Sequence, residues 1–361
     1  MNVDPSQGRL FRHPRELAQS GAGLVARGRV LGSELLAHVR LQQRWSRLGF
    51  SRFDWLATTP DGRRFAACGW LEIGKLDWIL WGRVDRRFRA GRKWTGGPES
   101  MLPSRACGAI SPDGRLLAIA GAQHDEDQAV RVLPIQSKGV HARDILRLEF
   151  YDPALSMAFS PEGARLAVGT LNGTVRVVDV LEACELVCVD HSTGGHVKRV
   201  YAVAYHPHGG IILSGSRDRT SSLWDAATGR ELGRFEGNSG AVTAVGFACE
   251  GEVVITGASA GDATICLWEA RSGRELERFA AQGTISALAV SPDNRWLVAG
   301  NRQGCAYVWD LESNRECGRI ELDPSIITWR AVVSVVFLNP RHFVVVFECG
   351  DIARVRIRPD G

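Results

Sequence analysis

One short turn is written repeatedly along this chain. Ser111–Gly114 reads SPDG, with TPDG at Thr59–Gly62, SPEG at Ser160–Gly163, HPHG at His206–Gly209 and SPDN at Ser291–Asn294. ACEG around Cys249 and LNPR around Pro340 hold the same place in degenerate form. The markers at positions 60, 112, 161, 207, 249, 292 and 340 are 52, 49, 46, 42, 43 and 48 residues apart. Self-similarity at such a period means that one supersecondary unit is repeated, and it must be read before any single element.

The stretch from Val200 to Phe235 shows what the unit contains. Val200–Tyr205 is a short apolar, aromatic and β-branched run, followed by the turn HPHGG and a second run at Ile211–Ser214. The RDR turn leads to a third run, Thr220–Trp224, and Ala227–Gly229 turns the chain into a more polar fourth, Glu231–Phe235. Four short strands joined by tight turns form a meander. One such sheet cannot bury both faces alone. Seven stacked around an axis can, and a closed ring leaves only short edges. Composition agrees, since the chain is 45% hydrophobic and 23% charged, with 40 glycines spread throughout. That is enough apolar material for a large core and argues against disorder.

Three segments carry a resemblance. SSLWDAATGREL (Ser221–Leu232), ICLWEARSGREL (Ile265–Leu276) and AYVWDLESNREC (Ala306–Cys317) resemble the third-to-fourth-strand region of WD-repeat propellers. Gly195-His196 and Trp224-Asp225 match the GH and WD ends of that repeat, whose period is about 40–45 residues. The resemblance is strong from Val200 to Leu322 and weaker from Asp54 to Val180, where the Trp-Asp pair is lost; Val332–Arg358 is placed by position. It implies an all-β fold, a single seven-bladed β-propeller of four-stranded antiparallel blades with an N-terminal Arg-rich extension, in a divergent member of bacterial type.

The resemblance also implies a hydrogen-bonded tetrad within a blade. His196, Ser214, Asp218 and Trp224 fill its places, with a structural role, because losing one partner strands a buried polar group. In the next blade the equivalents are Asn238, Thr256, Asp262 and Trp268. In the one after, Ala281, Ala299, Gln303 and Trp309 keep only the Trp.

The last copy supplies three strands, Val332–Leu338, Phe343–Glu348 and Ala353–Ile357, and leaves an open edge. The resemblance implies closure by a strand from the N-terminal side, and ELLAHVRLQ at Glu34–Gln42 alternates suitably. Leu35, Leu36 and Val39 also fit a helical period; closure favours the strand. The ring then occupies 31–361, and residues 1–30 form an Arg-rich tail, either solvated or ordering on a partner or on the rim, with a short helix conceivable at Arg9–Gln19.

Catalytic patterns are missing: there is no G-x-S-x-G, no H-E-x-x-H and no Walker-type loop. Ser214, His196 and Asp218 could be misread as a nucleophilic triad, but the repeat explains them. Cys184, Cys188, His191 and His196 have zinc-ligand chemistry, yet Cys184 and Cys188 fall on one strand and His196 already has a role. The expectation is no enzyme activity, no metal and no cofactor. The nine cysteines are odd in number and unpaired in pattern, and no signal peptide or spanning apolar run is present, so a soluble cytoplasmic protein is expected. Arginine outnumbers lysine heavily, only Lys75, Lys93, Lys138 and Lys198 being lysine, which reflects a GC-rich genome more than a function. The net charge of +4 does not call for nucleic acid.

The function expected is a scaffold or adaptor that binds proteins through its loop faces. Arg52, Arg199, Arg217, Arg302 and Trp329 occupy the turns before first strands and between second and third strands, a face where WD-repeat proteins often receive partners. Such a surface suits an acidic or aromatic peptide. A nucleic-acid or anionic-surface module, using Arg83–Lys93 and the tail, and a propeller enzyme are the alternatives.

Overall fold

The computed structural model describes residues 28–31, 36–42, 50–59, 63–71, 77–83, 89–95, 107–120, 129–136, 139–140, 145–149, 152–259, 263–322, 331–349 and 352–358. Among these, the architecture is almost wholly antiparallel strand, with single 3-10 turns at His191–Thr193 and Cys249–Gly251. The strands form seven separate sheets.

Blade 1 comprises Phe50–Thr58, Arg64–Leu71, Asp77–Arg83 and Arg89–Thr95, paired in sequence order. Blade 2 runs Cys107–Ile110, Leu116–Ala120, Ala129–Gln136 and Leu146–Glu149, with Gly139–Val140 folding back on its third strand. Blade 3 is Ala154–Phe159, Arg165–Thr170, Val175–Asp179 and Cys184–Val189, and blade 4 is Val200–Tyr205, Ile211–Ser216, Ser221–Asp225 and Glu231–Phe235. Blade 5 is Val242–Ala248, Val253–Ala258, Thr264–Glu269 and Glu275–Ala280; blade 6 is Ile285–Val290, Trp296–Asn301, Cys305–Asp310 and Arg315–Leu322. Blade 7 takes Val332–Asn339, His342–Phe347 and Ile352–Ile357 from one end of the chain and Leu36–Gln42 from the other. The first strand of each blade packs on the first strand of the next, and that of blade 7 packs on that of blade 1, so the ring is closed.

The repeated turn joins the first two strands of a blade and is built locally. Ser111 Oγ donates to Asp113 Oδ1 at 2.6 Å and accepts from Leu116 N at 2.9 Å, while Asp113 Oδ1 also accepts from Arg115 N. Gly114 supplies the positive φ of 65° that the fourth turn residue needs. Asn294 takes the same role at φ 59°, since a short polar side chain tolerates the left-handed region.

Blades 3 to 6 are each keyed to the next blade by a glycine in the second strand. A Cβ added at Gly169, Gly215, Gly257 or Gly300 would lie 2.5, 2.6, 2.6 or 2.2 Å from Val200, Val242, Ile285 or Val332, the residue that begins the next blade's first strand. A branched side chain thus seats in each glycine gap, in an interior that packs without slack. Between blades 7 and 1 the equivalent register position is Val346, which fills the space and clusters with Leu56, Phe65 and Ala67. Each first strand of blades 3–7 also carries a bulge after its first residue. The bulged Thr243 and Ser286 donate to the carbonyls of Ile285 and Val332 at 2.6 Å, stitching blade 5 to 6 and blade 6 to 7.

The N-terminal segment does more than close blade 7. Gly28–Leu31, which straddles the expected join between the tail at 1–30 and the ring at 31–361, pairs antiparallel with Arg319–Leu322 and makes a fifth strand on blade 6. The assigned short helix at Arg9–Gln19 lies outside the described residues. In the basic stretch Arg83–Lys93, Arg83 ends the third strand of blade 1, and its fourth strand begins at Arg89.

Candidate functional site

In blade 4 a hydrogen-bond chain links the outer loop to the sheet. His196 Nδ1 lies 2.9 Å from Asp218 Oδ2 and its Nε2 lies 2.7 Å from Ser214 Oγ. Trp224 Nε1 donates to Ser214 Oγ at 2.7 Å. One assignment of protons satisfies every atom: Trp224 N–H to Ser214, Ser214 O–H to His196 Nε2, and His196 Nδ1–H to Asp218. Asp218 also accepts from Val197 N, Thr220 N and Thr220 Oγ1. Burial alone would raise its carboxyl, but the hydrogen bonds from His196 and Thr220 outweigh that and hold it well below the ordinary carboxylate value. Arg234, from the fourth strand of the same blade, donates to Gly194 O at 2.9 Å and so braces the loop that delivers His196. His196, Ser214 and Trp224 are buried, so the chain of bonds has no open position for a reacting atom.

Other blades solve the same junction with different residues. In blade 5, Trp268 Nε1 donates to Thr256 Oγ1 at 3.0 Å and Thr256 donates to Asn238 Oδ1 at 3.2 Å. Asp262 lies outside the described residues. Arg278 reaches back to Gly237 O at 3.1 Å, as Arg234 does to Gly194. In blade 6, Trp309 stacks on Phe279 and Tyr307, within a cluster that includes Ala299. Its loop is tied instead by Asn301, which donates to Gln282 O and accepts from Gln303 N and Cys305 N. In blade 3 the buried Asp152 accepts from Asn172 N and Thr174 Oγ1. The sequence reading missed Asp152; the buried acid stands just before the first strand, in a repeat without a Trp-Asp pair to align it.

A second register defines a face. In blades 3 to 7 the residue that opens the second-to-third-strand turn donates its backbone N–H to the residue preceding the first strand: Leu171 to Pro153, Arg217 to Arg199, Ser259 to Ala241, Arg302 to Thr284 and Glu348 to Ala331, at 2.7–2.9 Å. These ten residues therefore lie on one side of the ring. Arg199 and Arg217 are neighbours there, flanked by exposed Lys198, Arg219 and Val197. Arg302 occupies the same turn position two blades on. Arg52 lies within the first strand of blade 1, opposite Trp70, and its side chain is outside what is described. Trp329 lies outside the described residues.

The family model described as WD domain, G-beta repeat matches residues 147–179, 187–225, 229–269 and 273–310. The chain carries four matched WD repeats. It is 29% identical over 277 residues to the guanine nucleotide-binding protein subunit beta of Oryza sativa subsp. indica, covering 72% of this chain and 70% of that one. It is 28% identical over 244 residues to an uncharacterized WD repeat-containing protein of Synechocystis sp., covering 56% of this chain and 67% of that one. Human WD repeat-containing protein 90 is 28% identical over 206 residues, which are 57% of this chain and 11% of that protein. The chain thus spans only a small part of the length of that last relative.

The matched WD repeats are offset from the blades. Residues 187–225 begin in the fourth strand of blade 3 and end with the third strand of blade 4, and the next two matches straddle blades in the same way. Each WD repeat therefore ties two neighbouring sheets together covalently. Among the described residues, no three His, Cys, Asp or Glu side chains converge to hold a metal. Cys184 and Cys188 are exposed on their strand, while His196 is buried in its bonds to Asp218 and Ser214. Burial pushes the Cys107 and Cys305 thiols up to about 12 and raises Cys188 and Cys249 too, which disfavours the thiolate. No described helix is long and apolar enough to cross a membrane.

Proposed function

We propose that this WD-repeat ring is a non-catalytic scaffold that holds an acidic segment of a protein partner against the turns of blade 4. WD-repeat propellers are generally protein-interaction scaffolds, and the rice relative is by its name a subunit of a larger assembly. The observation that carries the reading is the backbone bond of 2.8 Å from Arg217 N to Arg199 O, which fixes two arginines side by side on an outward face. Lys198 and Arg219 add charge, and Val197, 56% exposed, adds an apolar contact at the centre. Two arginines on a fixed backbone suit carboxylates that a guanidinium group can engage two oxygens at a time. Glu348 in the equivalent turn of blade 7 interrupts the positive charge around the ring, which favours a local acidic peptide over an extended polyanion.

The buried chain from Trp224 to Asp218 serves as the frame that makes this face rigid. It bonds the turn bearing Arg217 to the loop that leads to Arg199, through Asp218 and His196. The test is affinity purification from the native host with mass spectrometry, comparing the unaltered chain with Arg199→Glu plus Arg217→Glu. The principal protein partner is expected to be lost, with about 10- to 100-fold weaker binding in a purified pair, while urea denaturation stays the same. Undiminished co-purification refutes this face, and capture of nucleic acid in place of protein refutes the choice of partner.

A further inference from the structure

The fourth strand of a blade is the outer edge of its sheet, and the edges of blades 3 to 6 are shaped alike. Each has a bulge near its start: Leu186, Leu232, Leu276 and Cys317 are the extra residues, left out of the ladder with the third strand. Bulges blunt an edge against further pairing. Beyond the bulge runs regular strand, and its length differs. It spans Val187–Val189 in blade 3, Gly233–Phe235 in blade 4, Glu277–Ala280 in blade 5 and Gly318–Glu321 in blade 6, where the strand itself runs on to Leu322. The bulged leucines are 41–43% exposed, whereas Cys317 is 9% exposed. Blades 5 and 6 therefore offer the longest regular edges, and blade 6 differs in that its bulge holds a small, buried side chain instead of a protruding leucine.

Among the described residues, only this edge of the four carries an added strand. Gly28, Arg29, Val30 and Leu31 stand opposite Leu322, Glu321, Ile320 and Arg319. The pairing stops one residue short of Gly318, where the bulge begins. Arg29 is placed opposite Glu321, and Val30 opposite the buried Ile320. The same segment then leads to Leu36–Gln42, which pairs from Leu36↔Ile357 to Gln42↔Ile352 and completes blade 7. The two pairings differ in kind. Without Leu36–Gln42, blade 7 has three strands and the ring has an open seam. Without Gly28–Leu31, blade 6 still has the four strands that suffice in blades 3 to 5.

We propose that the outer edge of blade 6 is a strand-addition site, occupied in the free chain by its own residues 28–31 and separable from the closure of the ring. Its ligand is an extended peptide of the same kind, recognised by main-chain hydrogen bonds along Arg319–Leu322, with a basic residue opposite Glu321. The internal strand holds the site as a competitor at high effective concentration. Its four-residue length makes it the weaker of the two N-terminal pairings, so a longer matching peptide would displace it while the ring stays shut.

The experiment compares the full chain with one beginning at Glu34 and one beginning at Ser46, by hydrogen exchange and by binding of a labelled peptide of residues 26–33. In the chain from Glu34, amide exchange within 319–322 is expected to rise at least tenfold, with 352–357 unchanged. The peptide should bind that chain, restore the protection, and bind the full chain at least tenfold more weakly. The chain from Ser46 should lose protection at 352–357 as well. Unchanged exchange at 319–322 overturns the proposal, as does equal peptide binding to the full and shortened chains. Should the chain from Glu34 not fold, Arg29→Pro with Val30→Pro in the full chain provides the same exchange comparison, because proline removes the donors and cannot continue the ladder. Protection at 319–322 that survives this change overturns the proposal.

Discussion

Gly257→Ala tests whether the ring is held by branched side chains seated over glycines. The added Cβ would lie 2.6 Å from Ile285 Cγ2 and 3.0 Å from Ile285 Cβ, where ordinary contact starts near 3.4 Å. Ile285 is fully buried and begins the first strand of blade 6, so it cannot swing clear. Overpacking on this scale costs about 1–3 kcal/mol, of which alanine returns about 0.5–1 kcal/mol by restricting the unfolded chain. A net loss of about 1–2 kcal/mol is expected. Ile285→Ala alone should cost about 3 kcal/mol, from lost burial and the cavity it leaves. Combined, the new methyl enters space that Ile285 has vacated, so the double variant should cost about 1–2 kcal/mol less than the sum. Gly246→Ala is the control, since nothing lies within 4 Å of a Cβ there; its effect should be near zero or stabilising. Urea denaturation of the four proteins measures all of this. Costs for Gly257→Ala and Ile285→Ala that add to within about 0.5 kcal/mol would refute the direct contact between blades.

The blade 4 network makes two further claims. Ser214→Ala leaves Trp224 Nε1 and His196 Nε2 without their shared partner and should cost about 2–3 kcal/mol, read by urea denaturation and by faster amide exchange in Ser221–Asp225; a loss below about 0.5 kcal/mol would mean that the hydroxyl is dispensable. Asp218 is held below the ordinary aspartate value of 3.8, so its stabilisation is complete above that pH and drains as acid drives the pH down toward the lowered folded value. Asp218→Asn should therefore flatten the acid side of the stability–pH profile, and a profile of unchanged slope would show that another group sets it.

Much of the ring is legible because its signals are local. The Ser111–Gly114 turn writes its own hydrogen bonds and its own positive φ within a few residues, so the joint between first and second strands stands out in sequence. Trp224 and Trp268 mark third strands for a similar reason: each donates to a hydroxyl on the paired second strand. What stayed hidden depends on distant chain. Nothing near Gly28–Leu31 announces Arg319–Leu322 as its partner, because strand pairing is written in alternation that many segments share. Asp152 escaped because its partners, Asn172 and Thr174, replace the Trp-to-hydroxyl pattern that blades 4 and 5 share. Arg199 and Arg217 were legible only through the WD-repeat resemblance, which marks their turn positions, and the backbone bond between them emerges only once the second-to-third-strand turn folds over the start of the first strand.

The blade built from both halves of the chain has a temporal consequence. Residues 36–42 are synthesised long before residues 352–357, their pairing partners. Through that interval the early strand has no sheet to join, while blades whose strands are contiguous can fold as they emerge. Closure then requires the longest loop in the molecule to be brought together, a step whose entropy grows slowly with length but whose rate suffers from the distance. Ring closure should accordingly be the slow event in refolding. A circular permutant that joins the two ends and opens the chain between blades 3 and 4 would make that pairing local, at the expense of a new late seam elsewhere.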